Sequence, residues 1–260
     1  MQLDKTRIKR SFAKASDTYD TVAELQRSAG LALLSSVEAS AFKGTLLDLG
    51  CGTGFLSTEI LARSESETLI VLDIALAMVK TTHRKLLNQS SVRCVCADAE
   101  YLPITAHSFD GVFSNLALQW CRHLDAVFKD IRRVLKPNGR FVFSTFGSKT
   151  LHELKSAWAG VDDFNHVNHF YSQAEIMRHL GQAGFKGIEL TTTIYTPRYE
   201  TVRLLMQSLK QLGAQQVIDG GRKSMMTKSV LQQMMAAYEV HREGDTIPAT
   251  FEVINVITKV

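Results

Sequence analysis

The stretch TLLDLGCGTGFLSTEILAR, residues 45–63, decides the fold of this 260-residue chain. It joins a short apolar run at 45–50 to glycines at the alternate positions 50, 52 and 54, and continues into helical apolar spacing at 55–63. Because glycine has no Cβ, it adopts backbone conformations that other residues avoid and lets the backbone approach a ligand closely. The stretch therefore predicts a buried strand, a ligand-binding turn and a helix.

Strands and helices continue to alternate after this loop. Further apolar runs predict strands at 68–74, 91–98, 109–117 and 140–146, and helical spacing predicts helices at about 76–88 and 124–135. The proline and glycine of KPNG, 136–139, end the last of these helices. Nearly continuous apolar strands separated by helices indicate a parallel sheet covered on both faces, and ligands of such sheets bind at the carboxyl ends of the strands.

The segments outside this core are predicted to complete the sheet and to cover the site. Helices are expected at about 5–18, 21–39 and 173–183, the last ending at Gly184, and β-rich stretches at 186–199 and 250–260. Helical segments at about 200–218 and 227–242 are interpreted as an inserted cap. We predict one structural domain, with residues 1–40 as an N-terminal helical lid, 41–147 as the binding core, and 148–260 as the rest of the sheet with the cap at about 200–248. The fold class is α/β and Rossmann-like, with a mainly parallel seven-stranded sheet and an antiparallel edge strand.

The composition fits a soluble globular protein, with 45% apolar and 22% charged residues. No apolar run is long enough for a transmembrane helix and the N-terminal segment lacks the apolar stretch of a secretory signal, so we expect a cytoplasmic protein with reduced cysteines. Cys94 and Cys96, with one residue between them and no histidine nearby, give no basis for a zinc site. The net charge of +4 permits an acidic partner and does not argue for nucleic acid.

Acidic residues stand at the ends of the first three predicted strands: Asp48, Asp73 and Asp98. Asp48 suits a ligand with an amino group and would repel a pyrophosphate, whereas Asp73 can accept hydrogen bonds from both ribose hydroxyls. Asp98 can accept from an adenine amino group while Ala99 offers a backbone N–H. Taken singly, each carboxylate could instead cap a helix or be solvated. Together with the spacing G-x-G-x-G, which differs from the dinucleotide fingerprint G-x-G-x-x-G, they predict an adenosyl ligand.

These residues resemble the class I S-adenosylmethionine-dependent methyltransferases. LLDLGCGTG is similar to their glycine motif, VLDIALAM to their ribose-binding segment, CADAEYLP to their adenine-side segment, and FDGVFSNLALQW and LKPNGRF to their fourth and fifth strands. The resemblance covers about 45–147 and implies S-adenosyl-L-methionine as the cofactor, with no metal. It implies that Met78 flanks the adenine, for which a core methionine is the alternative. The implied cofactor residues are Tyr19, Gln26, Asp48, Gly50, Cys51, Gly52, Gly54, Asp73, Ile74, Met78, Asp98, Ala99, Asn115 and Leu116.

Segments outside the core carry a narrower resemblance. IKRSFAKASDTYDTVAELQRSAGLALL near the N-terminus, SNLALQWC, FSTFGSKTLHELKSAWAGVDDFNHVNHF and MQSLKQLGA resemble the malonyl-[acyl-carrier protein] O-methyltransferases of biotin synthesis. This likeness reaches about residue 214. It implies methylation of the free carboxylate of a malonyl thioester on acyl carrier protein, with neither nucleic acid nor a membrane as partner. The alternatives are a methyltransferase for a small-molecule carboxylate or quinone precursor, and a non-catalytic S-adenosylmethionine-binding module.

The strand end SNLALQWC, 114–121, contains no carboxylate or histidine that could act as a base. Methyl transfer from a sulfonium mainly requires a nucleophile placed against the methyl group with water excluded. A substrate carboxylate, with a pKa of about 4, is already ionised at neutral pH. We therefore assign no catalytic base. The candidates for positioning and desolvation are Tyr19, Asn115, Gln119 and Trp120.

Candidate substrate contacts lie after the fourth predicted strand and in the segments that follow the core. They are Trp120, Arg122, His123, His169, Phe170, Arg198 and Lys210. The alternatives are core packing for Trp120, helix capping or surface exposure for His169, and solvated charges for Arg198 and Lys210. An acidic carrier protein would dock on a basic face. The candidate clusters are Lys5, Arg7, Lys9, Arg10 and Lys14, or Arg222, Lys223 and Lys228; a solvated surface is the alternative for both.

Overall fold

The structure is a computed structural model that describes residues 5–63, 65–214 and 227–260, the side chains of 65–67 excepted. Its strands are β1 Lys43–Leu49, β2 Glu65–Asp73, β3 Val92–Cys96, β4 Phe109–Asn115, β5 Leu135–Phe146, β6 Lys186–Tyr195, β7 Arg198–Tyr199, β8 Ile247–Pro248 and β9 Phe251–Lys259. Its α-helices are α1 Lys5–Ala15, α2 Tyr19–Val22, α3 Glu24–Ser35, α4 Phe55–Arg63, α5 Leu76–Lys85, α6 Leu124–Val134, α7 His152–Ala159, α8 Gln173–Ala183, α9 Val202–Gln211 and α10 Lys228–Tyr238. Short 3₁₀ helices span Ala39–Phe42, Leu118–Trp120 and Glu239–His241. Arg222 and Lys223, named above as docking candidates, lie outside the described residues.

Seven strands form one sheet in the order β3-β2-β1-β4-β5-β9-β6. The pairs from β3 to β5 are parallel, and β9 runs antiparallel to both β5 and β6. The predicted seven-stranded, mainly parallel sheet is confirmed, although its antiparallel strand lies one place inside the edge. The strand order reverses between β1 and β4, which opens a crevice at their carboxyl ends.

Helix α6 illustrates why the sequence pattern predicts the core elements. Its residues Leu124, Val127, Phe128, Ile131 and Val134 are buried, at the three- and four-residue spacing of a helix with one apolar face. The ring of Phe128 packs edge-on against Phe141 of β5, with 5.9 Å between centroids. Burial of each such side chain contributes about 1.5–3 kcal/mol. The sheet and its helices thus form a fixed support for the strand ends.

The predictions differ from the structure where tertiary contacts set the boundaries. The first predicted helix ends at Ala15, and the second is divided at Ala23 into α2 and α3. The predicted strand at 140–146 begins earlier, at Leu135, which pairs with Phe109 before the register shifts at Gly111. Helix α7 was not predicted; it follows Leu151, which has a left-handed backbone with φ 53°.

The cap has an apolar cluster of its own. Helices α7, α9 and α10 and the β7–β8 pair contribute Leu154, Trp158, Val202, Leu205, Met234, Tyr238 and Ile247 to it. The fully buried Tyr238 donates a 2.9 Å hydrogen bond from its hydroxyl to the carbonyl of Pro248. The predicted inserted helices therefore pack together, with α7 as an additional member. Across the described ranges, no helix combines the length and apolar character that a membrane span requires.

Candidate active site

A cavity lies at the carboxyl ends of β1 to β4, beneath the N-terminal helices. It encloses about 790 Å³ of space, its open mouth included. Many of the expected cofactor residues line it, namely Tyr19, Gly50, Gly52, Asp73, Ile74, Met78, Asp98, Ala99, Asn115 and Leu116. Other residues of its wall were not predicted, namely Lys5, Ile8, Phe12, Ala117, Leu118 and Cys121. The crevice at the reversal of strand order is thus the site that the sequence pattern indicates.

Two glycines of the loop differ in their surroundings: one borders open space, and the other lies close to another segment of the protein. Gly52 has φ +53°, and a Cβ there would meet no atom within 4 Å, so this part of the backbone borders open space. At Gly50, with φ +79°, a Cβ would lie 2.3 Å from the Cβ of Ala117. Gly50 therefore allows the loop to approach the end of β4, while Gly52 exposes its backbone to the cavity.

The two remaining loop residues of the predicted set lie on the far side of the loop, against α5. The buried Cys51 thiol is 3.7 Å from the hydroxyl of Thr82, and burial raises the pKa of that thiol. A Cβ at Gly54 would come within 2.9 Å of the Thr82 methyl group. Cys51 and Gly54 thus shape the loop and do not line the cavity.

Asp73 anchors the loop and also faces the cavity. Its Oδ2 accepts a 3.0 Å hydrogen bond from the backbone N–H of Gly52, and its Oδ1 accepts a 2.8 Å bond from Ala75. The side chain is 9% exposed, and burial raises its pKa while the backbone donors oppose that effect. A carboxylate held in this way retains lone pairs for two ribose hydroxyls.

Asp98 is paired with a cation that the sequence did not place in the site. The ammonium of Lys5 lies 2.5 Å from Asp98 Oδ2 and 2.6 Å from Glu100 Oε2. Burial disfavours this charge, but hydrogen bonds to the two carboxylates outweigh it and raise the pKa of Lys5. Lys5 was assigned above to a basic docking face. In the structure it points into the cavity, at the end where an adenine is expected.

Asp48 lies behind the loop and carries an oxygen without a hydrogen-bond donor. Its Oδ2 accepts a 2.5 Å hydrogen bond from the hydroxyl of Ser57, but no described residue donates to its buried Oδ1. Burial raises the pKa of Asp48 to about 7, with the nearby charge of Asp73 adding to the effect. On α3, Gln26 also has a buried Oε1 to which no described residue donates. Neither side chain lines the cavity itself.

The unpaired oxygens of Asp48 and Gln26 provide one test of whether the chain fits S-adenosyl-L-methionine, the implied cofactor. A buried oxygen without a donor is unfavourable in the absence of ligand, by about 1–3 kcal/mol. An ammonium group would supply donors, and S-adenosyl-L-methionine carries one. The backbone of Gly52 and the carboxylate of Asp73 line the cavity and fit that group, whereas the acceptors on Asp48 and Gln26 lie outside its wall.

The end of β4 is held by hydrogen bonds and bends sharply. The Asn115 amide donates a 2.9 Å hydrogen bond to the carbonyl of Gln26 and accepts a 2.6 Å bond from Ser144. Leu116 follows with φ +47°, a left-handed conformation that costs about 1–3 kcal/mol for a side chain of this kind. Gln119 then donates a 2.6 Å bond to the carbonyl of Leu116.

This bend changes the role expected of Gln119. Its side chain is 7% exposed, accepts from Thr145 at 3.4 Å and does not line the cavity. Its side chain holds the loop, and its expected part in positioning the substrate stays a prediction. Trp120 does line the cavity, where its ring meets Phe12 of α1 edge-on, with 5.2 Å between centroids.

A polar contact fastens the N-terminal helices to the glycine loop. Asp20, next in the chain to Tyr19, accepts a 2.5 Å hydrogen bond from the hydroxyl of Thr53 and lies 2.5 Å from the ammonium of Lys85. Burial alone would raise the pKa of Asp20, but these two donors outweigh it and lower it. Asp20 was not predicted from the sequence, since nothing in DTYD distinguishes it from a solvated carboxylate.

The other predicted substrate residues lie away from the cavity. Phe170 is buried and packs edge-on against Phe146, whereas His169 is exposed beside Tyr171. Arg198 is bound to Glu243 on the outside of the cap, and Lys210 is exposed near the end of α9. The backbone N–H groups of Arg122 and His123 both donate to Glu100. None of these six predicted residues lines the described cavity.

The chain is similar to known proteins over nearly its whole length. Residues 47–143 match the family described as "Methyltransferase domain". The chain is 38% identical to the malonyl-[acyl-carrier protein] O-methyltransferase of Methylovorus sp., over 97% of this chain and 88% of that protein. It is 37% identical to the enzyme of that name from Gallionella capsiferriformans, over 97% of this chain and 89% of that protein. It is also 37% identical to the biotin biosynthesis bifunctional protein BioHC of Cellvibrio japonicus, over 96% of this chain and 49% of that longer protein.

Solved structures confirm the fold. YcgJ of Bacillus subtilis superimposes with a TM-score of 0.64 at 17% identity, over 89% of this chain and 97% of that one. Phosphoethanolamine N-methyltransferase 2 of Haemonchus contortus, in complex with S-adenosyl-L-methionine, superimposes with a TM-score of 0.62 at 16% identity, over 95% of this chain and 57% of that one. The fold is therefore the Rossmann-like fold of class I methyltransferases, and the chain belongs to the malonyl-[acyl-carrier protein] O-methyltransferase family.

Proposed function

We propose that this protein transfers the methyl group of S-adenosyl-L-methionine to the free carboxylate of a malonyl thioester on acyl carrier protein. The products are the malonyl-carrier-protein methyl ester and S-adenosyl-L-homocysteine, at the start of pimeloyl and biotin synthesis. The observation that carries the proposal is identity of 37–38% to relatives of this name over 97% of the chain, so that lid and cap match together with the cofactor core.

The cofactor side of the cavity offers a matching set of groups. When bound, S-adenosyl-L-methionine supplies a methyl group activated by its sulfonium. Asp73 would hold the ribose hydroxyls, Asp98 and Ala99 the adenine edge, and the buried acceptors of Asp48 and Gln26 the ammonium. Met78, which is 1% exposed and borders the cavity, would pack against the adenine.

The other side of the cavity suits a substrate that arrives ionised. Leu116, Phe12 and Trp120 exclude water from the strand end, and a malonyl carboxylate needs no base at neutral pH. Its oxygen would face the methyl group already ionised, so that no residue of the cavity would need to accept a proton. The nucleophile must be placed in line and desolvated, and placement of this kind can supply most of the rate enhancement.

The titratable side chains of the cavity support a reaction without a base. Burial beside Asp73 and Asp20 raises the pKa of Tyr19, so that its hydroxyl remains a hydrogen-bond donor at neutral pH. Burial raises the pKa of Cys121 to about 12, which keeps that thiol protonated. Tyr19 would therefore orient the carboxylate by donating a hydrogen bond, and Cys121 would act only as an apolar wall.

The partner and compartment follow from the substrate. We propose acyl carrier protein as the macromolecular partner and the cytoplasm as the site of the reaction. Cys51, Cys94, Cys96 and Cys121 are all free thiols, in keeping with a reducing compartment.

The proposal is tested by mass spectrometry of intact malonyl-loaded carrier protein after incubation with enzyme and S-adenosyl-L-methionine. We expect the carrier to gain the mass of one methyl ester, to lose it again in mild alkali, and to yield S-adenosyl-L-homocysteine in equal amount. Formation of S-adenosyl-L-homocysteine without an ester on the carrier would assign the enzyme to a different acceptor.

A further inference from the structure

We propose that the acidic carrier protein docks on the outer face of α1, at Lys9, Arg10 and Lys14, together with Lys210 of α9. This inference rests on the proposed function, because it takes acyl carrier protein as the partner. Carrier proteins are strongly acidic, and an interface with them is steered by basic residues around the point where the acyl arm enters.

Helix α1 has an exposed face that is basic throughout. Its sequence, KTRIKRSFAKA, contains five cations and no carboxylate. Lys5 is turned into the cavity, whereas Lys9, Arg10 and Lys14 are exposed and bind no carboxylate in the described part of the chain. Arg10 and Lys14 are four residues apart, so they project from one side of the helix. Among the residues that the structure describes, no carboxylate therefore accounts for these three cations.

The opposite face of the same helix forms part of the cavity wall. Ile8 and Phe12 line the cavity, and Phe12 contacts Trp120. A partner bound to the outer face of α1 thus lies one helix thickness from the site of methyl transfer. An acyl group on a flexible arm can pass the edge of α1 and reach the cavity without any rearrangement of the sheet.

Helix α9 extends this surface. A Cβ at Gly213, just past the end of α9, would lie 3.2 Å from the ring of Phe12 and 3.3 Å from the backbone of Ser11. Lys210 is exposed one turn before this contact, and Arg203 and Leu204 are exposed earlier along the helix. The 41% exposure of Leu204 adds an apolar anchor beside the cations. A basic rim with an apolar contact is the composition that an acidic protein partner requires.

A second basic surface lies far from the cavity and serves as a control for the docking proposal. Lys129, Arg132 and Arg133 border a cleft with Pro137 and Asn138 of β5, at the amino end of β4 and the far end of the sheet from the cavity. Arg133 is bound to Asp130 at 2.6 Å, and Arg132 donates to the carbonyl of Gly184. A carrier docked there would present its arm at the wrong end of the strands. This cleft therefore supplies matched control residues.

The test compares two substrates in steady-state kinetics at low ionic strength: malonyl-loaded carrier protein, and malonyl N-acetylcysteamine, a thioester without a carrier. We expect Arg10→Glu/Lys14→Glu to lower kcat/KM for the carrier substrate by about tenfold or more, mainly through KM, and to leave the small thioester within about twofold. Added salt should reduce the difference in kcat/KM for the carrier substrate between the wild type and the variant. Lys210→Glu should act in the same direction, and the control Lys129→Glu/Arg132→Glu should not.

Each other outcome has a definite meaning. An equal loss on both substrates would overturn the docking proposal, as would an unchanged kcat/KM for the carrier or an equal loss in the control variant. If the wild type methylates neither substrate, the proposed function itself fails. Arg10→Gln/Lys14→Gln, which removes the charges without reversing them, keeps the test valid should the glutamate variant fold poorly, as judged by thermal unfolding.

Discussion

The hydroxyl of Thr53 donates a 2.5 Å hydrogen bond to Oδ1 of Asp20 and thereby ties the glycine loop to the N-terminal helices. Thr53 stands between Gly52 and Gly54, and Asp20 directly follows Tyr19 in the chain. Lys85 of α5 binds the second oxygen of the same carboxylate. Through Asp20, the glycine loop is therefore linked to the segment that carries Tyr19 over the cavity.

Thr53→Val removes this hydrogen bond while keeping the shape of a side chain that is 2% exposed. We expect kcat/KM for the malonyl thioester to fall about five- to thirtyfold, because a lost bond to a charged group is worth roughly 1.5–3 kcal/mol and part of it is retained by Lys85. The affinity for S-adenosyl-L-methionine, measured by calorimetry, should change less than kcat/KM does. Thr53→Ser retains the hydroxyl and should behave as wild type; a serine variant as impaired as the valine variant would contradict the role of the bond.

Asp73→Ala should abolish measurable binding of S-adenosyl-L-methionine. The carboxylate both accepts from Gly52 and Ala75 and faces the cavity where the ribose is expected. Loss of two charge-assisted hydrogen bonds corresponds to about a hundredfold or more in affinity. Isothermal titration calorimetry measures this directly, with circular dichroism to establish folding. Wild-type affinity in a folded variant would sink the cofactor assignment.

Asp48 makes cofactor binding depend on pH. Its pKa in the folded protein is raised to about 7. Between about pH 4 and 7 the carboxyl group is therefore protonated in the free enzyme and ionised in the unfolded chain. Stability from this group is accordingly present at low pH and lost as the pH rises from about 4 to 7. An ammonium beside Asp48 favours the ionised form, and we therefore expect affinity to rise between about pH 6 and 8 with release of a proton.

The control for this prediction is Asp48→Asn, which cannot titrate and should bind weakly with an affinity independent of pH. Calorimetry in buffers of different ionisation enthalpy counts the protons released. An identical pH dependence in wild type and Asp48→Asn would show that another group is responsible.

The rate of methyl transfer should be insensitive to pH. The substrate carboxylate is ionised above about pH 5 and no base is assigned, so kcat under saturating conditions should vary less than about twofold between roughly pH 6.5 and 9. Tyr19→Phe should lower kcat by about tenfold at most, because it removes one donor, and should leave the profile flat. A rising limb near neutral pH that disappears in Tyr19→Phe would identify Tyr19 as a base.

The sequence predicted those parts of the site that depend on local order along the chain. Gly50 and Gly52 lie just after β1, Asp73 ends β2 and Asp98 lies just after β3. The carboxyl ends of neighbouring parallel strands meet at one edge of the sheet. Their shared cavity follows from the alternation of strands and helices alone. The helix over 55–63 was predicted to the residue because its apolar spacing and the preceding glycines agree.

The contacts that could not be predicted join distant parts of the chain. Lys5 and Asp98 are 93 positions apart, and the sequence gives no indication that one cation of α1 turns inward while its neighbours remain exposed. Gln119 lies outside the cavity wall although Leu118 and Trp120 on either side line it, because its buried amide is bound to Leu116 and Thr145. Helix α7 was missed although its buried residues Leu154, Ala157 and Trp158 recur at helical spacing; its buried face packs against α9 and α10.

The central claim is that the chain methylates a free carboxylate on a carrier-bound acyl group. The most direct measurement incubates the enzyme and S-adenosyl-L-methionine labelled in the methyl group with carrier protein loaded with malonyl, succinyl or acetyl groups. We predict label on the malonyl-loaded carrier, less on the succinyl-loaded carrier, and none on the acetyl-loaded carrier, which has no free carboxylate. Label on the acetyl-loaded carrier, or on none of the three, would contradict the claim.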